Sequence, residues 1–501
     1  MIEKIYTATP NGYLASLVEI EADMNLNSLP ATIIVGLPDT VVQESRERVR
    51  SAIKNSSFQY PVARISINLA PGDIPKVGSH FDLAIALSIL LAGGLIEFNP
   101  EKKMFIGELA LDGRVRPSVG VLSMVMAAKK AGIKEVFVPT ANTPEAVLVS
   151  GISVYGIESL VQAVDHLTGI EGLNPEIKKA IAAERVNNIE IDFSEISGQQ
   201  LAKRALIIAA AGFHNLRMVG SPGSGKTMLA KALAGILPSL TESEIVETTN
   251  IHSLSGKLFS GLVSVRPFRS PHHTASSISL IGGGVRPKPG EVSLAHNGVL
   301  FLDELPEFPR NVLEVMRQPL EERCVTISRA QGTIKFPARF ILVTAQNPCH
   351  CGNHGDPLLV CQCHPSEVIK YNKKISGPLL DRIDLHIQVP RLKYEEFKNI
   401  SVNESSEKIR KQVLVAREIQ NNRFGSSKTN SEMNSKEIKK FCVLDEQTEG
   451  LLHKAADTFQ LSGRSINRLL KVARTIADLE SSKQISHNHL AESLQYRPTT
   501  E

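Results

Sequence analysis

Apolar and polar positions change rhythm several times along this chain. The alternating stretches Ala31-Thr32-Ile33-Ile34-Val35 and Arg64-Ile65-Ser66-Ile67-Asn68-Leu69 predict strands, and between and after them the spacing predicts helices over 40–54 and 82–91. Residues 1–169 therefore read as an α/β or α+β domain. From 168 to 190 the pattern is polar and loses its period, and Asn174-Pro175 marks a turn, so 170–190 is expected to be a linker. Short, mostly apolar runs follow at 216–219, 299–302 and 340–343, each read as a buried strand, with an apolar-striped helix expected over 228–237. Beyond Tyr394 the rhythm is helical: helices are predicted over 405–421, 435–441, 445–459, 464–480 and 487–494, the last with Ser486 as N-cap. The chain is thus α/β, with a front domain at 1–169, a core at 191–392 and a helical domain at 393–501.

Composition narrows the partners. At 501 residues the chain has room for roughly three domains. A net charge of only +4 means that any nucleic-acid contact must come from local basic patches. The opening Met1-Ile2-Glu3-Lys4 lacks the pattern of an export signal, and the apolar run 83–96 is too short to span a bilayer and holds Gly93-Gly94, so a buried core helix is expected there. Six cysteines, with Cys324 and Cys442 isolated, do not resemble a secreted disulfide framework, and a cytoplasmic location with no membrane partner is expected.

The chemistry concentrates in the core. Gly220-Ser221-Pro222-Gly223-Ser224-Gly225-Lys226-Thr227 matches the phosphate-binding loop G-x-x-x-x-G-K-[ST], placed between a predicted strand and a predicted helix. Its glycines let backbone N–H groups turn inward around phosphates, Lys226 would reach the β- and γ-phosphates of ATP, and Thr227 would hold magnesium. Downstream, Gly298-Val299-Leu300-Phe301-Leu302-Asp303-Glu304 is an apolar strand ending in two carboxylates, a Walker B pattern. It aims Asp303 at the magnesium and lets Glu304 polarise the attacking water. A third strand ends in Asn347, which fits a water-orienting sensor, although a strand-terminal Asn is also an ordinary turn former. Arg382 and Arg464 each sit near a turn or helix start, where a planar guanidinium could bind a γ-phosphate; Arg468, one turn on, is the alternative to Arg464.

Arg266-Pro267-Phe268-Arg269-Ser270-Pro271-His272-His273, Gly282-Gly283-Gly284, Pro289-Gly290-Glu291, Leu294-Ala295-His296 and Leu305-Pro306-Glu307-Phe308 resemble the magnesium-chelatase-like branch of AAA+ ATPases, and within it the ComM/YifB family, over nearly the whole chain. That resemblance implies a P-loop AAA+ core with a helical lid, and a ring of six copies in which Arg382 reaches the neighbouring subunit's nucleotide. It implies an ATP hydrolase that moves DNA and promotes branch migration in recombination and natural transformation. A chelatase-like or chaperone-like remodeller of a protein partner is the alternative.

The segments 105–113 and 119–138 resemble the Lon-type proteolytic domain, of ribosomal S5 domain 2-like fold, whose serine and lysine form a dyad. Carried over, the serine position falls on His80 and the lysine position on Met124. Those two side chains cannot form the dyad, so a Lon-like domain without peptidase activity is expected; Ser79, one residue away, keeps the peptidase alternative open.

Two loops remain. The polar insertion 253–290 and the hairpin 325–334 line the pore in related rings, so Arg266, Arg269 and Arg329 could track DNA phosphates without reading bases. Equally, His272 and His273 could bind metal and the arginines could pair with carboxylates. Between 349 and 363, Cys349, Cys351, Cys361 and Cys363 form two C-x-C pairs suited to structural zinc, with His350, His354 or His364 able to replace one sulfur.

Overall fold

The computed structural model describes residues 4–178, 190–257, 261–284, 287–329, 332–356, 358–392 and 404–497, the side chains of Arg329 and Gly332 excepted. Most of the expected linker, and the expected start of the helical domain, lie outside them.

The front domain is built on a seven-stranded mixed sheet, in the order Ala31–Val35, Arg64–Ala70, Leu14–Asn25, Lys4–Asn11, Lys103–Phe105, Glu135–Pro139, Ser153–Ile157. Strand alternation sends neighbouring side chains to opposite faces. Ile5, Val18 and Ile20 pack with helix Asp82–Ala92 in one core, while Tyr6, Ala8 and Leu17 pack with helix Val121–Lys130 in the other. Helix Asp82–Ala92 is the expected core helix, buried all round through Leu90, and no helix among the described residues is long and apolar enough to cross a membrane. Its first residue, Asp82, is tolerated inside because Arg48 Nε (2.8 Å) and Ser45 donate to its carboxylate.

The second core shared by the front domain also takes in Leu240 and Ile245, the latter from helix Glu242–Ser255. Gly120 N donates to Ser253 Oγ (3.0 Å) and Asn250 Nδ2 to Tyr13 O (3.0 Å), which fixes the front domain against that helix.

The central unit is a five-stranded, all-parallel sheet in the order Phe268–Arg269, Val299–Leu302, Ile341–Gln346, Leu216–Val219, Leu385–Gln388. Strands Val299–Leu302 and Ile341–Gln346 are buried on both faces, which is why Val299–Leu302 and residues 341–343 read as apolar runs and not as alternation. The edge strand Phe268–Arg269 lies inside the stretch expected to be a long loop; the apolar period is invisible there because only two residues pair.

Helices Gln200–Gly212 and Lys226–Ile236 cover the sheet together with Ile409, Val413, Val472, Ile476 and Tyr496 of the C-terminal helices. The C-terminal helices run Ser406–Phe424, Ser435–Phe441, Glu446–Thr458, Gly463–Leu479 and His487–Gln495, within a few residues of the pattern-based ranges. Ser405, Asn434, Asp445, Ser462 and Ser486 stand at their N-caps. The shared apolar core makes Ser406–Phe424 and Gly463–Leu479 part of the same packed body as the sheet, and the other three share a further core with Gly463–Leu479 through Ile438, Leu451 and Leu490.

Candidate functional site

Parallel pairing with matched register brings the chemical residues together. Val219 is opposite Gln346, and Leu302 opposite Thr344, so the strands' C-terminal ends present the phosphate loop, Asp303-Glu304 and Asn347 along one edge. Gly223 (φ +75°) and Gly225 (φ +88°) hold the left-handed backbone that turns the loop's amides inward.

Within that edge the side chains already converge. Lys226 Nζ donates to Gly220 O (2.8 Å) and Ser221 O (2.9 Å) and lies 3.4 Å from Asn347 Oδ1. Burial pushes the Lys226 pKa down against the pull of Asp303, so an arriving phosphate would restore the charged form's advantage. Thr227 Oγ1 donates to Asp303 Oδ2 at 3.1 Å. Two hard oxygens at that separation suit neighbouring corners of a magnesium octahedron, whose metal–oxygen distances are about 2.1 Å.

Glu304 adopts φ +52°, a left-handed conformation unusual for a residue with a side chain, at the turn that follows the Walker B strand. Its half-exposed carboxylate faces His273, with Nδ1 3.0 Å from Oε2. From the sequence His273 is expected only as a candidate metal ligand. Its signal was its place four residues after an edge strand that pairs with the Walker B strand, which only the sheet register reveals.

Arg382 and Arg464 are brought together, but at a different place. Arg382 ion-pairs with Glu321 (2.5 Å), Arg464 approaches the same carboxylate (3.3 Å), and Arg468 is held by Ile383 O (2.8 Å) and Asp381 (3.3 Å). All three line one cavity of about 170 Å³ with Glu321 and Asp381, and no hydrogen bond among the described residues joins them to the phosphate loop of the same chain.

Two of the expected DNA contacts have partners within the chain. Arg266 is nearly buried and is bonded to Glu244 (3.0 Å), Asn297 O (2.6 Å) and Pro238 O, while the partly exposed Arg269 pairs with Glu291 at 2.6 Å. Their partners lie more than twenty residues away in sequence. Arg329 ends the hairpin strand Cys324–Arg329, and its side chain lies outside the described residues.

The four cysteines cluster. The Sγ atoms of Cys349, Cys351, Cys361 and Cys363 all lie within 4.8 Å of one another, with Cys349 to Cys351 3.3 Å, Cys349 to Cys361 3.7 Å and Cys351 to Cys361 3.6 Å. Tetrahedral zinc at about 2.3 Å from each sulfur needs edges of about 3.8 Å, so the set fits. His350 instead packs edge-on to Tyr371, and His364 caps helix Pro365–Asn372. No other cluster of three or more such ligands occurs among the described residues, His272 and His273 included.

In the front domain, His80 is buried with Nε2 2.9 Å from Ala8 O, and burial lowers its pKa to about 4. Met124 is fully buried in the apolar core, and Ser79 Oγ is bonded to Glu108.

Comparison with known proteins follows the same division. Three family models match: "Magnesium chelatase, subunit ChlI" over residues 192–397, "Subunit ChlI of Mg-chelatase" over 20–142, and "Magnesium chelatase, subunit ChlI C-terminal" over 403–497. Competence protein ComM of Haemophilus influenzae is 46% identical, the match covering 98% of this chain and 97% of the relative. The uncharacterized protein YifB of Salmonella typhimurium is 41% identical over 98% of the chain and 96% of the relative. A Lon protease of Lachnoclostridium phytofermentans is 29% identical over 28% of the chain and 19% of its own length. The chain belongs to the ComM/YifB family of magnesium-chelatase-like AAA+ proteins.

Proposed function

We propose that this chain hydrolyses ATP as one subunit of a homo-hexameric ring that moves along single-stranded or branched DNA and drives branch migration of recombination intermediates. The relative named a competence protein supports a place in the uptake and recombination of DNA, in the cytoplasm. The convergence of Lys226, Thr227, Asp303, Glu304 and Asn347 on one sheet edge carries the hydrolase reading. In it the loop amides and Lys226 bind the phosphates, Glu304 orients and deprotonates water, and Asn347 steadies that water. Thr227 and Asp303 would hold magnesium, which neutralises developing phosphate charge when bound. Cys349, Cys351, Cys361 and Cys363 would hold a structural zinc ion.

The ring reading rests on the arginines. Arg382 and Arg464 gather around Glu321, away from the phosphate loop of their own chain, as groups that serve a neighbour's nucleotide would. The front domain is read as a Lon-like scaffold without peptidase activity, with boundaries at 1–169, 170–190, 191–392 and 393–501.

One observation favours a second reading. Arg266 and Arg269 are already engaged with carboxylates, so a DNA phosphate would have to compete for them, which keeps a remodeller of a protein partner in play. The deciding experiment measures ATP hydrolysis with no DNA, single strands, duplex and a four-way junction, with Glu304→Gln as control. Stimulation by DNA and strand exchange at the junction, both lost in the control, are expected. Hydrolysis indifferent to DNA at every salt concentration would overturn the motor reading and leave the remodeller.

A further inference from the structure

We propose that the cysteine loop is a metal-dependent latch on the phosphate loop, so that loading the four thiolates with zinc sets the chain's affinity for nucleotide. This rests on the nucleotide and zinc readings above and adds a coupling between them.

The phosphate loop is touched by the cysteine loop at both of the positions that begin its variable stretch. Ser221 Oγ donates to Asp356 Oδ2 at 2.6 Å. Gly352 (φ +82°) lies so close to Pro222 that a Cβ there would stand 2.5 Å from Pro222 Cδ. Arg391 ties the two loops together, donating to Pro222 O (3.3 Å) and lying 3.6 Å from Asp356. Gly352 follows Cys351 directly, and Asp356 lies between Cys351 and Cys361, so the residues that grip the phosphate loop are bracketed by the thiolates.

Apart from those thiolates, little holds this segment in shape. No helix or strand is assigned to the described residues between Gln346 and Pro365, and its apolar side chains Leu358, Leu359 and Val360 are 58%, 43% and 86% exposed. A loop without a core of its own takes its geometry from the metal that closes it. Without that closure, ordering Asp356 and Gly352 against the phosphate loop carries an entropic cost.

The contact reaches the chemistry in one step. Lys226 Nζ bonds to the carbonyls of Gly220 and Ser221, so a shift of Ser221 moves the lysine that faces the phosphates. From the other end, Cys349 follows Asn347 by two residues, and Asn347 Oδ1 also lies against Lys226.

The test uses the full chain. Metal content is measured by elemental analysis, zinc is stripped with a zinc-selective chelator that is then removed, and ATP affinity in magnesium buffer is measured by calorimetry before stripping, after it and after zinc is restored. One zinc per chain is expected, with affinity falling about tenfold on stripping, the scale of one lost hydrogen bond to a charged group, and returning with zinc. Asp356→Ala keeps its zinc and should lose affinity by a similar factor, and stripping it should add little further. Should the stripped chain unfold, Asp356→Ala with bound zinc decides alone. Zinc lost or Asp356 replaced with affinity changed by less than about twofold overturns the latch. A chain that takes up no zinc overturns the metal reading and the latch with it, whereas a zinc-loaded chain that binds no ATP, like its Lys226→Ala variant, overturns the nucleotide reading.

Discussion

The phosphate-loop edge and the Lon-like turn of the front domain are both places where a relative's chemistry can be looked for, and this chain treats them oppositely. At the sheet edge Thr227, Asp303 and Glu304 stay accessible, and the shortest bonds of the buried Lys226 go to backbone carbonyls that a ligand's phosphates could replace. At the front turn, the residue expected to match the Lon nucleophile is a buried histidine bonded to a backbone carbonyl, and the one expected to match its lysine is a methionine at full burial. Neither side chain is one that a serine–lysine dyad uses. The lesson is that a resemblance over a fold transfers its scaffold more readily than its chemistry.

The sharpest test of this contrast has the largest expected effect. Glu304→Gln removes the base while keeping the shape, and ATP turnover should fall by ~10²- to 10⁴-fold with nucleotide binding retained. Ser79→Ala should change neither ATP turnover nor the integrity of an unfolded protein such as casein. Cleavage of casein by the parent chain that disappears in Ser79→Ala would break the comparison.

How far the sequence could be read follows the same divide between local and distant determinants. The phosphate loop, the Walker B strand and the C-terminal helices were legible because contiguous residues dictate them: glycines at positive φ, apolar runs, and N-caps such as Asp445 and Ser462. The cysteine cluster was legible by composition, though choosing sulfur over histidine needed His350 to be seen against Tyr371. The carboxylate partners of Arg266 and Arg269 were not legible because a cation's partner is set by tertiary packing, here Glu244 and Glu291. The pairing of His273 with Glu304 depends on Phe268 lying beside Val299, a register that no local pattern encodes.

Acidification should separate the two regions next. Burial holds the pKa of His80 down to about 4 from 6.5, so the unfolded chain binds the extra proton between those values and stability falls as pH drops through that window. At pH 5 this amounts to about 2 kcal/mol lost from the front domain. In the C-terminal domain, burial of Glu432 is outweighed by hydrogen bonds from Arg339 and the charges of Arg339 and Arg323, which hold its carboxyl to about 2. That contribution is fully present above 4.5 and is lost only as pH falls from there toward 2. Burial likewise holds His386 of strand Leu385–Gln388 down to about 3, so hydrogen exchange at pH 7 and pH 5 should show the front sheet and that strand loosening while the contacts of Glu432 stay protected. Equal loosening of both at pH 5 would contradict the assignment of the buried histidine as the acid-sensitive group.

The smallest effect tests how far the polar site is set before nucleotide arrives. Glu304 Oε2 is taken up by His273, so part of this carboxylate's freedom is spent on an internal partner. A partly exposed pair of this kind is worth about 0.2 to 1 kcal/mol, equivalent to no more than about fivefold in a rate. His273→Ala should therefore raise basal ATP turnover by up to about fivefold and leave Glu304→Gln unaffected when the two are combined. If turnover falls instead, His273 positions Glu304 for the reaction and does not restrain it, and the accessible site would owe its readiness to that contact.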